Sequence, residues 1–136
     1  MRLYYLEIVS HDAAAVRKTY EALHAVTFSE PDELLGGAIA CVLSDGSRVG
    51  IREPLRETET PVVRPYWQVD DIGKCVAHLE TLGATIAVPP LEIPGKGTFA
   101  ICLLGANDHG LWQPWKPAGQ TLSIRPPAQY LPETGS

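Results

Sequence analysis

A chain of 136 residues with 45% apolar and 20% charged side chains is long enough for one domain with its own core. A net charge of −5 at neutral pH, with no basic run, speaks against nucleic acid or an anionic membrane surface as partner. No apolar stretch is long enough to span a bilayer, and the opening MRLYYLEIVSHD becomes charged too soon for an export leader.

In chain order, residues 3–9 (LYYLEIV) are β-rich and predict a strand. Asp12 is placed to cap a helix running to His24, with Val16, Tyr20 and Leu23 on one face. A short strand, VTFS, leads into the loop PDELLGG. Residues 38–44 and 48–53 predict a strand pair turned at Asp45-Gly46. Residues 54–63 are polar with two prolines and read as a linker. A strand at 64–69 and a second helix from Asp71 follow, with Ile72, Cys75, Leu79 and Leu82 on one face and Gly83 at its end. Then come a strand at 84–88, the loop PPLEIPGKG, and strands at 98–104 and 109–114. Cys41, Cys75 and Cys102 sit singly in apolar runs and are expected as reduced core residues of a cytoplasmic protein.

The two halves repeat. Shifted by 59 positions without a gap, Asp12 falls on Asp71, Glu21 on Glu80, Leu23 on Leu82, Ala25 on Ala84, Pro31 on Pro90, Glu33 on Glu92, Gly36 on Gly95 and Gly46 on Gly105. The predicted fold class is α+β: tandem βαβββ modules forming a cupped mixed sheet with helices on the outer side. One domain is expected over 1–116, with module one at 1–53, a linker at 54–63 and module two at 64–116. A duplicated unit of this kind tends to build a cleft between its copies. The tail from Pro117 is proline-rich and is expected to be extended. Its end, Leu131-Pro132-Glu133-Thr134-Gly135, resembles a sortase sorting signal without the apolar and basic segment such a signal needs, and reads as an appended tag or a coincidence.

The segments LEIVSHDAAAVRKTYEALHAV, YWQVDDIGKCVAHLETLGA, IPGKGTFAI and HGLWQPW carry a resemblance to a known family. Together they span residues 6–115 and are similar to the vicinal oxygen chelate superfamily, which includes glyoxalase I, bleomycin-resistance proteins and extradiol dioxygenases. The resemblance implies a cupped sheet around a ligand cleft, and a homodimer. It does not imply one reaction, since members isomerise, epimerise, oxidise, cleave or only bind.

Enzymes of this superfamily chelate a divalent ion from the first and last strands of each module. Carried onto this chain, those positions are Tyr5, Gly50, Arg64 and Gly110, with His109 replacing Gly110 if the last strand shifts by one. Divalent metals need imidazole, carboxylate or thiolate ligands. Glycine offers no side chain, and arginine repels the ion. The expectation is no metal and no cofactor.

Strand alternation puts Tyr5 and Glu7 on one face of the first strand, and Arg64, Tyr66 and Gln68 on one face of the fourth. Arg52 shares a face with Gly50, and Trp112 with Gly110. Leu6, Ile8, Ile51, Trp67, Val69 and Leu111 then point to the helices. The expected ligand-binding set is Tyr5, Glu7, Arg52, Arg64, Tyr66, Gln68 and Trp112. Two arginines beside aromatics suit a flat or anionic ligand, and the expected ligand carries a carboxylate, phosphate or polarised carbonyl. Glu7 reads either as a catalytic acid/base or as half of a structural ion pair. The tyrosines and Trp112 read equally as ligand platforms or as space-filling core. Lys96, in a glycine-rich loop, is placed to reach an anionic ligand. The first functional reading is a metal-independent small-molecule binding protein. The alternative is a glyoxalase-like enzyme (lyase, isomerase or dioxygenase) acting on a small carbonyl or acid.

Overall fold

The computed structural model describes residues 2–116. The tail, with its LPETG segment, lies outside the described residues. The elements are β1 (Leu3–Val9), α1 (Ala13–His24), a 3-10 turn (Glu33–Leu35), β2 (Ile39–Val42), β3 (Arg48–Arg52), β4 (Val62–Gln68), α2 (Ile72–Thr81), β5 (Thr85–Ile93), β6 (Gly97–Leu104) and β7 (Asn107–Pro114). The chain divides into two compact units with the boundary between Trp67 and Gln68, so most of β4 clusters with the first. The fold class is α+β with mixed strand pairing.

In the first unit the strand order is β2-β3-β1-β4. β1 runs parallel to β3 and antiparallel to β4, and β2 runs antiparallel to β3. Alternation decides what each face carries. Ile8 of β1 and Val49 and Ile51 of β3 join Phe28 and Cys41 in the buried cluster, with Leu6 packed against it. Ala13, Val16 and Tyr20 of α1 close over that cluster. Burying each large aliphatic side chain this way contributes roughly 1.5–3 kcal/mol. The opposite face of the same strands is left to Tyr5, Glu7, Gly50 and Arg52.

Two expectations fail here. Leu23, expected on the buried face of α1, is 72% exposed; the helix packs through its first two turns. Residues 26–29 form no strand. Phe28 is buried, which explains the apolar signal, but the ladder does not close. Ser29 N–H donates to the Ala40 carbonyl at 2.8 Å, yet Ala40 N–H returns to the Ser29 hydroxyl at 3.1 Å rather than to a backbone carbonyl. A side chain that supplies the acceptor replaces the strand it interrupts.

In the second unit β6 lies between β5 and β7, antiparallel to both. Helix α2 buries Ile72 and Val76, and its start is tied to β7 by Ile72 N–H donating to Gln113 Oε1 at 2.8 Å. Leu82, expected on the buried face, is 69% exposed. β5 is longer than predicted: Pro89 through Ile93, assigned to a loop, continue the strand. Register shifts at Ile86/Val88 and Val88/Leu91 absorb the two prolines. Among the described residues β5 pairs with β6 on one side, so its prolines leave no ladder bond unmade on the other.

The 59-residue repeat survives as local geometry. Asp12 and Asp71 both cap their helices, accepting from Ala15 N–H at 3.3 Å and Lys74 N–H at 3.0 Å. Gly36 and Gly95 both take positive φ, at +70° and +74°, in the turns that follow. Even Leu23 and Leu82 agree, both exposed.

Candidate functional site

Glu7 sits in mid-β1, in register with Gly50 on one side and Arg64 on the other. Its carboxylate is buried, at 8% residue exposure, and is met by three donors. Arg52 Nε–H donates to Oε2 at 2.9 Å. Arg64 Nη1–H donates to Oε1 at 2.5 Å, and the Tyr66 hydroxyl donates to the same oxygen at 3.0 Å. A carboxylate taken out of water is tolerable only when paired and hydrogen-bonded in this way.

Arg52 reaches further. Its Nη1 and Nη2 donate to the two oxygens of Glu59 at 2.9 and 2.7 Å, and Nη1 also meets the Glu53 carbonyl at 3.3 Å. Glu59 lies in the segment between β3 and β4 that the sequence marks only as a linker. Two carboxylates therefore balance two guanidiniums. The paired Glu59 fork holds Arg52 protonated, raising its pKa further against the opposing effect of burial. Arg52 in turn holds the Glu59 carboxyl down at about 2.

That depression sets a pH dependence. A group whose folded pKa lies below its ordinary value stabilises the fold above that value and loses the contribution as pH falls. The window here runs from 4.5 down to about 2. Wild-type protein is expected to lose unfolding free energy across this range. Glu59→Gln is expected to be less stable at neutral pH by about 1–3 kcal/mol, and flatter below. Urea unfolding at a series of pH values checks both; parallel curves for the two proteins would contradict the assignment.

Tyr5 occupies the space in front of Gly50. A Cβ on Gly50 would overlap the Tyr5 hydroxyl and its ring. The Tyr5 and Tyr66 rings pack tilted at 58°, centroids 5.9 Å apart. Burial first, and the nearby Glu7 charge second, push both phenols above their ordinary range, so both stay protonated.

Five of the seven residues expected from sequence thus lie together on one face of the first unit: Tyr5, Glu7, Arg52, Arg64 and Tyr66. Gln68 and Trp112 belong to the second unit. Trp112 is buried, its indole N–H donates to the Lys96 carbonyl at 3.1 Å, and its ring packs against Phe99 at 6.3 Å. Sequence reasoning missed Glu59. A polar, aperiodic segment gives no face to its residues, and the one usable signal was a glutamate in the short span that leaves Arg52 and returns to Arg64.

The residues that the resemblance places at the superfamily's metal positions do not fit a divalent ion. Tyr5 fills the room beside Gly50, Arg64 brings a positive charge to Glu7, and Gly110 has no side chain. Among the described residues no three His, Cys, Asp or Glu side chains come together so as to hold a metal. Cys41 and Cys102 are buried and Cys75 is half-buried; burial raises all three thiols, which suits packing rather than nucleophilic attack.

No family model matches the sequence, and no curated protein matches it. Solved structures do. A hypothetical protein, BH1468, from Bacillus halodurans C-125 superposes with a TM-score of 0.68 at 13% identity, over 88% of this chain and 98% of its own. Methylmalonyl-CoA epimerase from Mycobacterium tuberculosis gives 0.65 at 13% identity, over 85% and 89%. Methylmalonyl-CoA epimerase from Streptomyces coelicolor, in complex with 2-nitronate-propionyl-CoA, gives 0.62 at 17% identity, over 84% and 97%. The epimerase is a vicinal oxygen chelate protein. This chain has the vicinal oxygen chelate fold. At these identities the likeness is one of fold, and it agrees with the resemblance read from the segments between residues 6 and 115. Among the described residues no helix is long and apolar enough to cross a membrane.

Proposed function

We propose that this member of the glyoxalase/bleomycin-resistance type of fold is a small-molecule binding protein that works without a metal ion. The ligand is taken on the face that carries Tyr5, Glu7, Arg52, Arg64 and Tyr66. The observation that supports this reading most is the exchange of metal ligands for a packed pair, Tyr5 lying over Gly50. Where a member of the fold would place chelating side chains, this chain places a neutral phenol and a hydrogen.

Arg52 is committed to two carboxylates, so a ligand oxygen meets Arg64 and Tyr66 and competes there with Glu7. Because the four charged groups of the cluster balance, it offers no net positive charge. That favours a polarised carbonyl or a single carboxylate over a phosphate dianion.

The test is native mass spectrometry of the purified protein against small carboxylates and carbonyl compounds, followed by titration of whichever is retained unchanged. Arg64→Ala is expected to weaken that binding by about 1.5–3 kcal/mol, the range for a charge-assisted hydrogen bond. Equal affinity of wild type and Arg64→Ala, or preference for a fully apolar compound, would defeat the proposal.

The epimerase neighbours favour a second reading, an enzyme acting on a small carbonyl or acid with Glu7 moving the proton. In its favour Glu7 lies beside two tyrosines. Against it, both Glu7 oxygens already accept from charged or phenolic donors. Turnover of an acyl-CoA that survives EDTA and disappears in Glu7→Gln would establish this reading over the first.

A further inference from the structure

We infer that Glu59 is the positioning residue of the site: by occupying the fork of Arg52 it decides how Glu7 is shared, and so keeps one Glu7 oxygen for Arg64 and Tyr66. The inference rests on the reading of this face as the binding site and adds a residue from outside the sheet to it.

An arginine and a carboxylate pair most strongly side by side, two N–H groups on two oxygens. Arg52 has two such edges, the Nη1/Nη2 fork and the Nε/Nη2 side. Glu59 takes the fork with both oxygens. Nη2 keeps a second hydrogen on the Nε side, but with the head oriented by Glu59 it is Nε that meets Glu7, at a single oxygen, Oε2. The other oxygen, Oε1, is where Arg64 and Tyr66 both donate. The side-by-side pairing that Arg52 and Glu7 would otherwise prefer would place an Arg52 N–H on Oε1 as well, in competition with Arg64 and Tyr66.

Glu59 is itself held for this task. Leu55 N–H donates to its Oε1 at 2.6 Å, and its own N–H donates to the Arg56 carbonyl at 3.0 Å, so a tight turn aims the side chain. The Arg52 stem is confined at Gly36, where an added Cβ would meet Arg52 Cδ at 3.3 Å, Nε at 3.4 Å and Leu55 Cδ1 at 3.6 Å. The stem passes close against Gly36 and the side chain is only 7% exposed, so the partner of the fork chooses the orientation of the head. Glu59 keeps 18% side-chain exposure, so it is the member of the network nearest to solvent.

The test compares wild type, Glu59→Asp and Glu59→Gln by NMR with no ligand added, so its outcome is independent of whether the binding reading survives. The readouts are solvent exchange of the Tyr66 hydroxyl proton and the side-chain N–H resonances of Arg52 and Arg64 in arginine-labelled protein. Glu59→Gln keeps the shape and the Leu55 bond but removes the charge. It is expected to speed Tyr66 hydroxyl exchange by about tenfold or more, the loss of roughly one hydrogen bond, and to shift the Arg64 resonances together with those of Arg52. Glu59→Asp keeps the charge on a shorter arm and is expected to fall between the two. Should the glutamine variant not fold, the aspartate variant decides alone. In either variant, a lowered melting temperature with wild-type Tyr66 and Arg64 signals would make Glu59 a structural clasp only, and overturn the inference.

Discussion

Gly50→Ala is expected to destabilise the protein by about 3 kcal/mol, at the upper end of the range for overpacking a buried site, and to lower the melting temperature by roughly 10 °C. Gly50 lies in β3 beside β1, and a methyl group there runs into the Tyr5 hydroxyl and ring. Tyr5 has nowhere to go: it is 5% exposed, with the Tyr66 ring on one side and the Glu7 network beyond. The strand itself tolerates alanine, so the cost is steric and specific to one neighbour. That makes it separable. Tyr5→Ala alone costs several kcal/mol through the cavity it leaves, roughly 3–5 by analogy with other buried aromatics. In that background, Gly50→Ala is expected to cost nothing or to restore stability by partly filling the hole. Calorimetry of the two single variants and the double variant checks this. A full Gly50→Ala penalty that persists without Tyr5 would show that the glycine serves the backbone and not the ring.

Glu7→Ala is expected to be as costly as Tyr5→Ala, about 3–5 kcal/mol. The substitution leaves Arg64 facing Tyr66 without their shared acceptor and strips Arg52 of one of its two carboxylates. Desolvated guanidiniums, with Arg52 at 7% exposure and the Arg64 side chain at 11%, then carry an uncompensated charge. Glu7→Gln retains an acceptor oxygen and is expected to lose less, about 2 kcal/mol, because hydrogen bonds remain while the ion pairing does not. Denaturant unfolding at neutral pH orders the series. A cost below about 1 kcal/mol for Glu7→Ala, the magnitude of a surface pair, would mean that water reaches the cluster and that burial is not what makes it necessary.

Most of the cluster was legible in the sequence, because strands impose a period of two. Once LYYLEIV is a strand, Tyr5 and Glu7 share a face, and the opposite parity of Leu6 and Ile8 says which face is core. The same parity in RVGIR and VVRPYWQ brings Arg52, Arg64 and Tyr66 to that face. The two helices were legible from their Asp caps and apolar spacing, although Leu23 and Leu82 continue the spacing and are exposed all the same. What the sequence could not give is the outcome of competition between groups. Ser29 and Ala40 carry nothing that announces which oxygen Ala40 N–H will choose. Pro89 and Pro90 signal a loop in any strand with two neighbours, and are tolerated because, among the described residues, β5 pairs on one side. Glu59 lies in a segment with no periodicity at all, and its role depends on Arg52 presenting a fork at the right height. The same limit explains Gly50: that it faces Tyr5 follows from parallel pairing of β1 with β3, which no local pattern specifies.

The most direct test of the account is a metal determination. The protein is purified without a polyhistidine column, incubated with zinc, nickel, manganese or ferrous ion, dialysed, and analysed for bound metal alongside its melting temperature with and without EDTA. With Tyr5, Gly50, Arg64 and Gly110 at the positions the resemblance assigns to chelation, metal retained after dialysis is expected to fall below about a tenth of an equivalent, and EDTA to leave the melting temperature unchanged. Close to one equivalent per chain, lost on chelation together with stability, would contradict the account and return the protein to the metal-dependent enzymes of its fold.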